Sequence, residues 1–232
     1  MNSKVYVHEA VEIEGTHRAA YLGMVANRAE KGAGQRASRL VGVFGAVAST
    51  GYWHRTFEVW EYEGWSALAE DIQYLRGISR DKAAEDSQWQ EKASSMRFGA
   101  QSRVMLPADW SPSLDKIPGS EKAECFEQQI VNLRQGTAAD YLERAGRRLV
   151  PIMSRYGAEV VGAWRTALVD EDEVILLWSH RSWEAWGAFE RESKNDEELR
   201  AWRLQNGDCV VDYRTTVLYS APGITVASRP AA

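Results

Sequence analysis

Three side chains have the types and spacing that proton transfer at carbon would need: Glu9, Glu58 and His54. Two enclosed carboxyls share a proton, which raises one of them towards neutrality. An imidazole nearby shuttles protons in the same pH range. Such a group could deprotonate or protonate a carbon beside a carbonyl or a phenol without a cofactor, so none is expected. Strand alternation sorts Trp53–Glu61 into two sets, Trp53, Arg55, Phe57, Val59 and His54, Thr56, Glu58, Trp60. The first set carries more aliphatic surface and is expected against helices. That sends His54, Thr56, Glu58 and Trp60 to an interior, with Val174, Leu176, Trp178 and His180 as their counterparts later in the chain.

The elements that must position these residues come as a repeat. Val41-Gly42-Val43-Phe44, a turn, and a run ending Trp60…Trp65 return as Val161-Gly162-Ala163-Trp164, a turn, and a run ending Trp178…Trp183. Around the first copy, Val5–Ile13 reads as a strand and Thr16–Lys31 as a helix. Then come a hairpin of about Arg39–Val47 and Trp53–Glu61, helices near Trp65–Leu75 and Arg80–Ala93, and a strand near Arg97–Leu106. The second copy repeats the order. Strands are expected at Cys125–Leu133, Glu159–Leu168, Glu173–Ser179 and Cys209–Tyr219, and helices at Ala138–Tyr156, Trp183–Glu192 and Asp196–Gln205. Thr137 with Asp140 resembles a capping box, and Pro151 is expected to kink its helix. Residues 1–108 form one βαββαβ unit, 109–122 a Pro- and Ser-containing linker, 123–222 the second unit and 223–232 a tail. A βαββαβ unit is the ferredoxin-like split βαβ motif. One sheet face per unit lacks helices, so the two sheets are expected to cover each other within one chain. The predicted class is α+β, an intrachain α+β barrel of tandem ferredoxin-like repeats.

Composition narrows the partners. A net charge of -5 and the lack of any Lys/Arg block argue against nucleic acid. No apolar run approaches the ~18 residues of a membrane span, and no apolar leader opens the chain, so no membrane and a cytoplasmic setting are expected. Ten Trp suggest aromatic walls for a small aromatic or apolar molecule, although a duplicated Trp-rich core would also account for them. Four scattered His and two Cys give no metal spacing, and Cys125 and Cys209 are expected at opposite ends of a strand pair, too far apart for a disulfide.

The tandem halves, Trp60 and Trp178 near the ends of their strands, the Gly15-Thr16 and Gly136-Thr137 helix entries and the closing Leu106-Pro107 resemble the NIPSNAP family, of the dimeric α+β barrel superfamily. The first strands of that family tend to carry an aromatic-Glu-Leu-Arg pattern. Tyr6-Val7-His8-Glu9 and Phe126-Glu127-Gln128-Gln129 keep it in part and lack the Arg, so no role tied to that Arg carries over. The superfamily includes cofactor-free monooxygenases, cyclases, lactone isomerases and haem proteins; the resemblance therefore implies several chemistries and leaves a homodimer open. It also favours the Glu9 face of the first strand as interior, which the pattern alone does not decide.

The assembled expectation is a pocket with Glu9, Glu58 and His54 as catalytic groups and Trp60, Trp178, Gln129, Thr56 and His180 around the substrate. It describes a cofactor-independent isomerase, cyclase, lyase or oxygenase acting on an aromatic or polyketide-like molecule. Two alternatives stand beside it. One is a non-catalytic NIPSNAP-type binding or interaction protein, with Glu9 and Glu58 solvated or paired to Arg39, Arg55 or Arg103. The other is a haem protein ligated by His54 or His180. His8 is expected as a core or helix-contact histidine and His17 as a solvated one.

Overall fold

A computed structural model describes residues 2–31, 37–51, 54–76, 84–117 and 123–221. Trp53, residues 32–36, 80–83 and 118–122, and the tail 223–232 lie outside the described residues.

The first repeat folds as β1 (Val5–Ile13), α1 (Arg18–Lys31), β2 (Ser38–Ala46), β3 (Arg55–Tyr62), α2 (Trp65–Arg76), α3 (Ala84–Met96) and β4 (Arg97–Pro107). The second gives β5 (Cys125–Leu133), α4 (Ala138–Arg144), α5 (Val150–Arg155), β6 (Ala158–Ala167), β7 (Glu173–His180), α6 (Trp183–Glu192), α7 (Glu197–Asn206) and β8 (Val210–Ser220). A π-helical turn, Ala145–Leu149, joins α4 to α5. It lies just before Pro151, whose missing N–H breaks the regular ladder, so the expected kink takes the form of a widened turn. Thr137 does not close a capping box: its hydroxyl donates back to the Arg134 carbonyl at 2.7 Å.

Each repeat forms an antiparallel sheet, β4-β1-β3-β2 and β8-β5-β7-β6. The two join through β4–β6 and β2–β8 into one closed eight-stranded barrel. The architecture is therefore the α+β barrel of tandem ferredoxin-like repeats. Among the described residues, closure gives every strand two neighbours in the sheet.

Eight strands enclose a space that side chains can just fill, and here they fill it. Tyr6, Phe44, Phe57, Met105, Phe126 and Trp164 form one buried cluster with Ile175, Leu177 and Leu218, drawn from both repeats. The repeated Val-Gly-x-aromatic segment has its explanation in this core. A Cβ on Gly42 would lie 2.3 Å from the Phe44 ring, and one on Gly162 would lie 1.9 Å from the Trp164 ring. Each ring lies back over the glycine two residues before it. A strand bulge accompanies each: the register shifts between Leu40 and Gly42 and between Val160 and Gly162.

Polar groups close the two ends. At one, Arg39 bonds Glu61 and Asp115, Tyr6 donates to Glu61 at 2.7 Å, and the Leu114 amide donates to the same carboxylate at 2.8 Å. The expected linker thus packs on the barrel end; Leu114 and Ile117 rest on the interior cluster, and Trp110 donates to the Leu142 carbonyl at 2.9 Å. At the other end Arg55 pairs with Glu12 and Arg103 with Glu173, beside shallow cavities of about 210 and 160 Å³. Arg103 reaches from β4 to β7 and so fastens one repeat to the other. Replacing Arg103 by Met should cost about 2–3 kcal/mol in chemical denaturation, because Glu173 is left buried without its cation. The figure is set below that for a fully buried pair because the Arg103 side chain keeps 14% exposure. The double change with Glu173→Leu should recover most of the loss.

Candidate active site

The faces of the strands are the reverse of those expected. Phe57 and Val59 point into the barrel. Glu58 and Trp60 point outwards, beneath the helices: Trp60 packs with Tyr21, Leu22 and Val25 of α1. In the second repeat Leu176 and Trp178 pack with Tyr141, Phe189 and Trp202 of the helices. The expectation failed because it treated the more apolar set as the helix-facing one. In a closed barrel both faces are covered, and the enclosed face demands the bulkier apolar set.

The two carboxyls nevertheless meet. β1 and β3 pair antiparallel with Glu9 directly opposite Glu58, so their Cβ atoms are neighbours on one face. On the other side of Glu9 the partner is Ser102 of β4. The row Ser102, Glu9, Glu58 therefore runs from an exposed residue through a half-buried one to a buried one, Glu58 being only 3% exposed. Tyr21 donates its hydroxyl to one Glu58 oxygen at 2.9 Å, and the Trp60 indole donates to the other at 3.1 Å. Burial, followed by the charge of Glu9, pushes the Glu58 carboxyl up to about 7, against the opposing pull of Tyr21, Trp60 and Arg97. The arginines considered as alternative partners are engaged elsewhere, Arg39 with Glu61 and Asp115, Arg55 with Glu12 and Arg103 with Glu173.

The elevated carboxyl has a consequence for stability. The folded chain holds a proton on Glu58 that the unfolded chain gives up near 4.5. Between those values the native state binds the extra proton, so this group's contribution to stability falls as pH rises through about 7. The expected difference is on the order of 3 kcal/mol. Denaturation of Glu58→Gln between pH 5 and 8.5 should show a flatter pH dependence than the parent chain; an unchanged slope would exclude the elevated carboxyl.

The remaining expected residues lie apart from this pair. The His54 carbonyl accepts from the Ile13 amide at the far end of β1. His54 is therefore four residues, or ~13 Å, along the strand from Glu58. Thr56 shares the outward face of Glu58 but is fully buried two residues away, with its hydroxyl near the Val11 carbonyl. Trp178, Gln129 and His180 lie under the helices of the second repeat, not around Glu58. The Gln129 amide donates to Glu127 at 2.6 Å. His180 is fully buried, its ring against Phe189 at 5.8 Å between centroids and 3.7 Å from Glu127. His8 is the interior histidine, fully buried and bonded to Gln128 at 2.9 Å. Tyr21 is the partner that was missed, since a helix tyrosine reads as core until the helix is docked.

A barrel of two ferredoxin-like repeats with a buried, elevated carboxyl under one helical layer is the class these features define. Among solved structures, a proposed monooxygenase from Lactobacillus acidophilus superposes with a TM-score of 0.67 at 9% identity, covering 94% of each chain. An anthrone oxidase-like protein gives 0.67 at 12%, covering 99% of this chain and 96% of that one. At these identities the likeness is one of fold, the dimeric α+β barrel with both halves in one chain. A NIPSNAP-like domain protein from Burkholderia xenovorans matches 44% of this chain and 90% of its own at 16% identity, with a TM-score of 0.40. No family model matches the sequence, and no curated protein sequence is significantly similar to it.

Proposed function

We propose that this chain is a cofactor-independent small-molecule enzyme of the oxygenase type, acting on a hydroxylated, anthrone-like aromatic ketone. The observation that carries the reading is the buried Glu58 carboxyl directly opposite Glu9, an arrangement that pushes Glu58 up to about 7. A base poised there holds both protonation states at neutral pH, which is the condition for efficient proton transfer. In the proposed step the Glu58 carboxylate takes the proton from the ring carbon opposite the ketone, leaving a carbanion delocalised onto the carbonyl oxygen. That carbanion passes electrons to dioxygen and forms a carbon–oxygen bond as the peroxide. Loss of water from the peroxide leaves a quinone, so that substrate and dioxygen give quinone and water. Tyr21 and Trp60 hold the carboxyl in place, and Glu9 passes its proton towards solvent at Ser102. The exposed outer face of β4, with Phe98 at 65% exposure, is the side from which a flat aromatic molecule would approach.

The whole-length likeness to proteins described as monooxygenase and anthrone oxidase-like supports this choice over isomerase, cyclase or lyase chemistry. Oxygen uptake with a hydroxyanthrone tests it: uptake with one quinone per dioxygen is expected, and no uptake above the uncatalysed rate across a panel of such ketones would reject it. The filled barrel favours a second reading, a binding protein without turnover, which predicts saturable binding of the same compounds and no oxygen consumption.

A further inference from the structure

The second repeat carries polar atoms that its own fold leaves unsatisfied. Glu127 and His180 point to the helix side of the second sheet and are 3% and 0% exposed. The nearest approach of His180 Nε2 to Glu127 Oε2 is 3.7 Å, beyond hydrogen-bond range. Glu127 Oε2, both ring nitrogens of His180, and the indole N–H groups of Trp178 and Trp186 are buried without a hydrogen-bond partner. They share one neighbourhood. Glu127 and Trp178 are cross-strand partners, Trp178 and Trp186 belong to the same packed cluster, and Trp186 lies one turn before the Phe189 that faces His180.

The first repeat supplies an internal control. By register, Val5 opposite Tyr62 corresponds to Cys125 opposite His180, and Val7 opposite Trp60 to Glu127 opposite Trp178. Where the second repeat has Glu127 the first has an apolar Val7. Where it has His180 the first has Tyr62, whose hydroxyl is bonded to Asp71 at 2.9 Å. At these two positions the first copy does without a carboxylate or an imidazole, although it has unpartnered atoms of its own in His8 Nδ1 and the Trp89 indole. Buried polar groups lacking partners cost on the order of 1–3 kcal/mol each, and in native structures such groups mark a place where something else completes them.

We propose that the second repeat holds its own binding site, separate from the Glu9–Glu58 pair, for a hydroxylated aromatic molecule inserted between α6 and the sheet. The ligand hydroxyl donates to Glu127 Oε2 and accepts from His180 or an indole N–H, and its ring lies among Trp178, Trp186 and Phe189. The groups available are the Glu127 acceptor, an imidazole that offers one donor and one acceptor when neutral, and two indole donors within an aromatic enclosure, which suits a phenol.

The probe is 1-naphthol, titrated into the full chain while the imidazole resonances of His180 are followed by NMR. Saturable movement of those resonances is expected, with binding weakened at least tenfold in Glu127→Gln and unchanged within twofold in Glu58→Gln. Saturating 1-naphthol that leaves His180 unmoved overturns the site, and so does equal affinity in Glu127→Gln. The titration of the unaltered chain decides the matter even if a variant fails to fold. It is read at His180, so it stands or falls separately from oxygen uptake at Glu58.

Discussion

Glu58→Gln should lower kcat for oxygen uptake by about 10²–10⁴, the usual contribution of a positioned general base, with KM little changed. The amide keeps the size of the carboxyl and can still bond Tyr21 or Trp60, so the loss reports the missing proton acceptor and not a collapsed site. In the parent chain kcat should rise with pH through about 7, because the carboxylate is the working form and burial holds it protonated below that value. Glu9→Gln removes the charge that helps keep Glu58 protonated, so the same limb should move to lower pH. Steady-state rates from pH 5 to 9 for the three chains would check all of this. A Glu58→Gln chain with unimpaired turnover and an unmoved pH limb would remove Glu58 from the chemistry.

Gly162→Ala should destabilise the fold by at least about 3 kcal/mol in chemical denaturation. The added Cβ would lie 1.9 Å from a Trp164 ring that is 1% exposed and enclosed by residues of both repeats. The ring cannot swing to solvent, so the strand or the core must shift. Combining it with Trp164→Leu should give a loss smaller than the sum of the two single changes, because the smaller side chain vacates the contested space. Gly42→Ala, against the Phe44 ring at 2.3 Å, should show the same sign. A strictly additive pair at position 162 would mean that the glycine serves some other purpose than admitting the ring.

The order of elements and the doubling of the unit were legible in the chain itself, whereas placing Glu9 on the same face as Glu58 leaned on the family resemblance. Period-2 and period-3.6 patterns, turn residues and the recurrence of Val-Gly-x-aromatic are local signals, and the observed strands and helices follow them within a few residues at their ends. Antiparallel pairing of the first and third strands is a property of the motif, so two glutamates near their midpoints come close, and the register set by the fold places them directly opposite. Which face they occupied was not legible. Alternation divides a strand into two sets but carries no sign, and when both faces are covered neither set is marked by polarity. Closure of the barrel through β4–β6 and β2–β8 supplied the sign: it sent Tyr6, Phe44, Phe57 and Trp164 inwards and turned Glu58, Trp60 and Trp178 to the helices. The elevated carboxyl, its Tyr21 partner and the unsatisfied Glu127–His180 neighbourhood depend on how helices dock on that outer face, and docking distances between residues far apart in the chain are set only when the whole chain has folded.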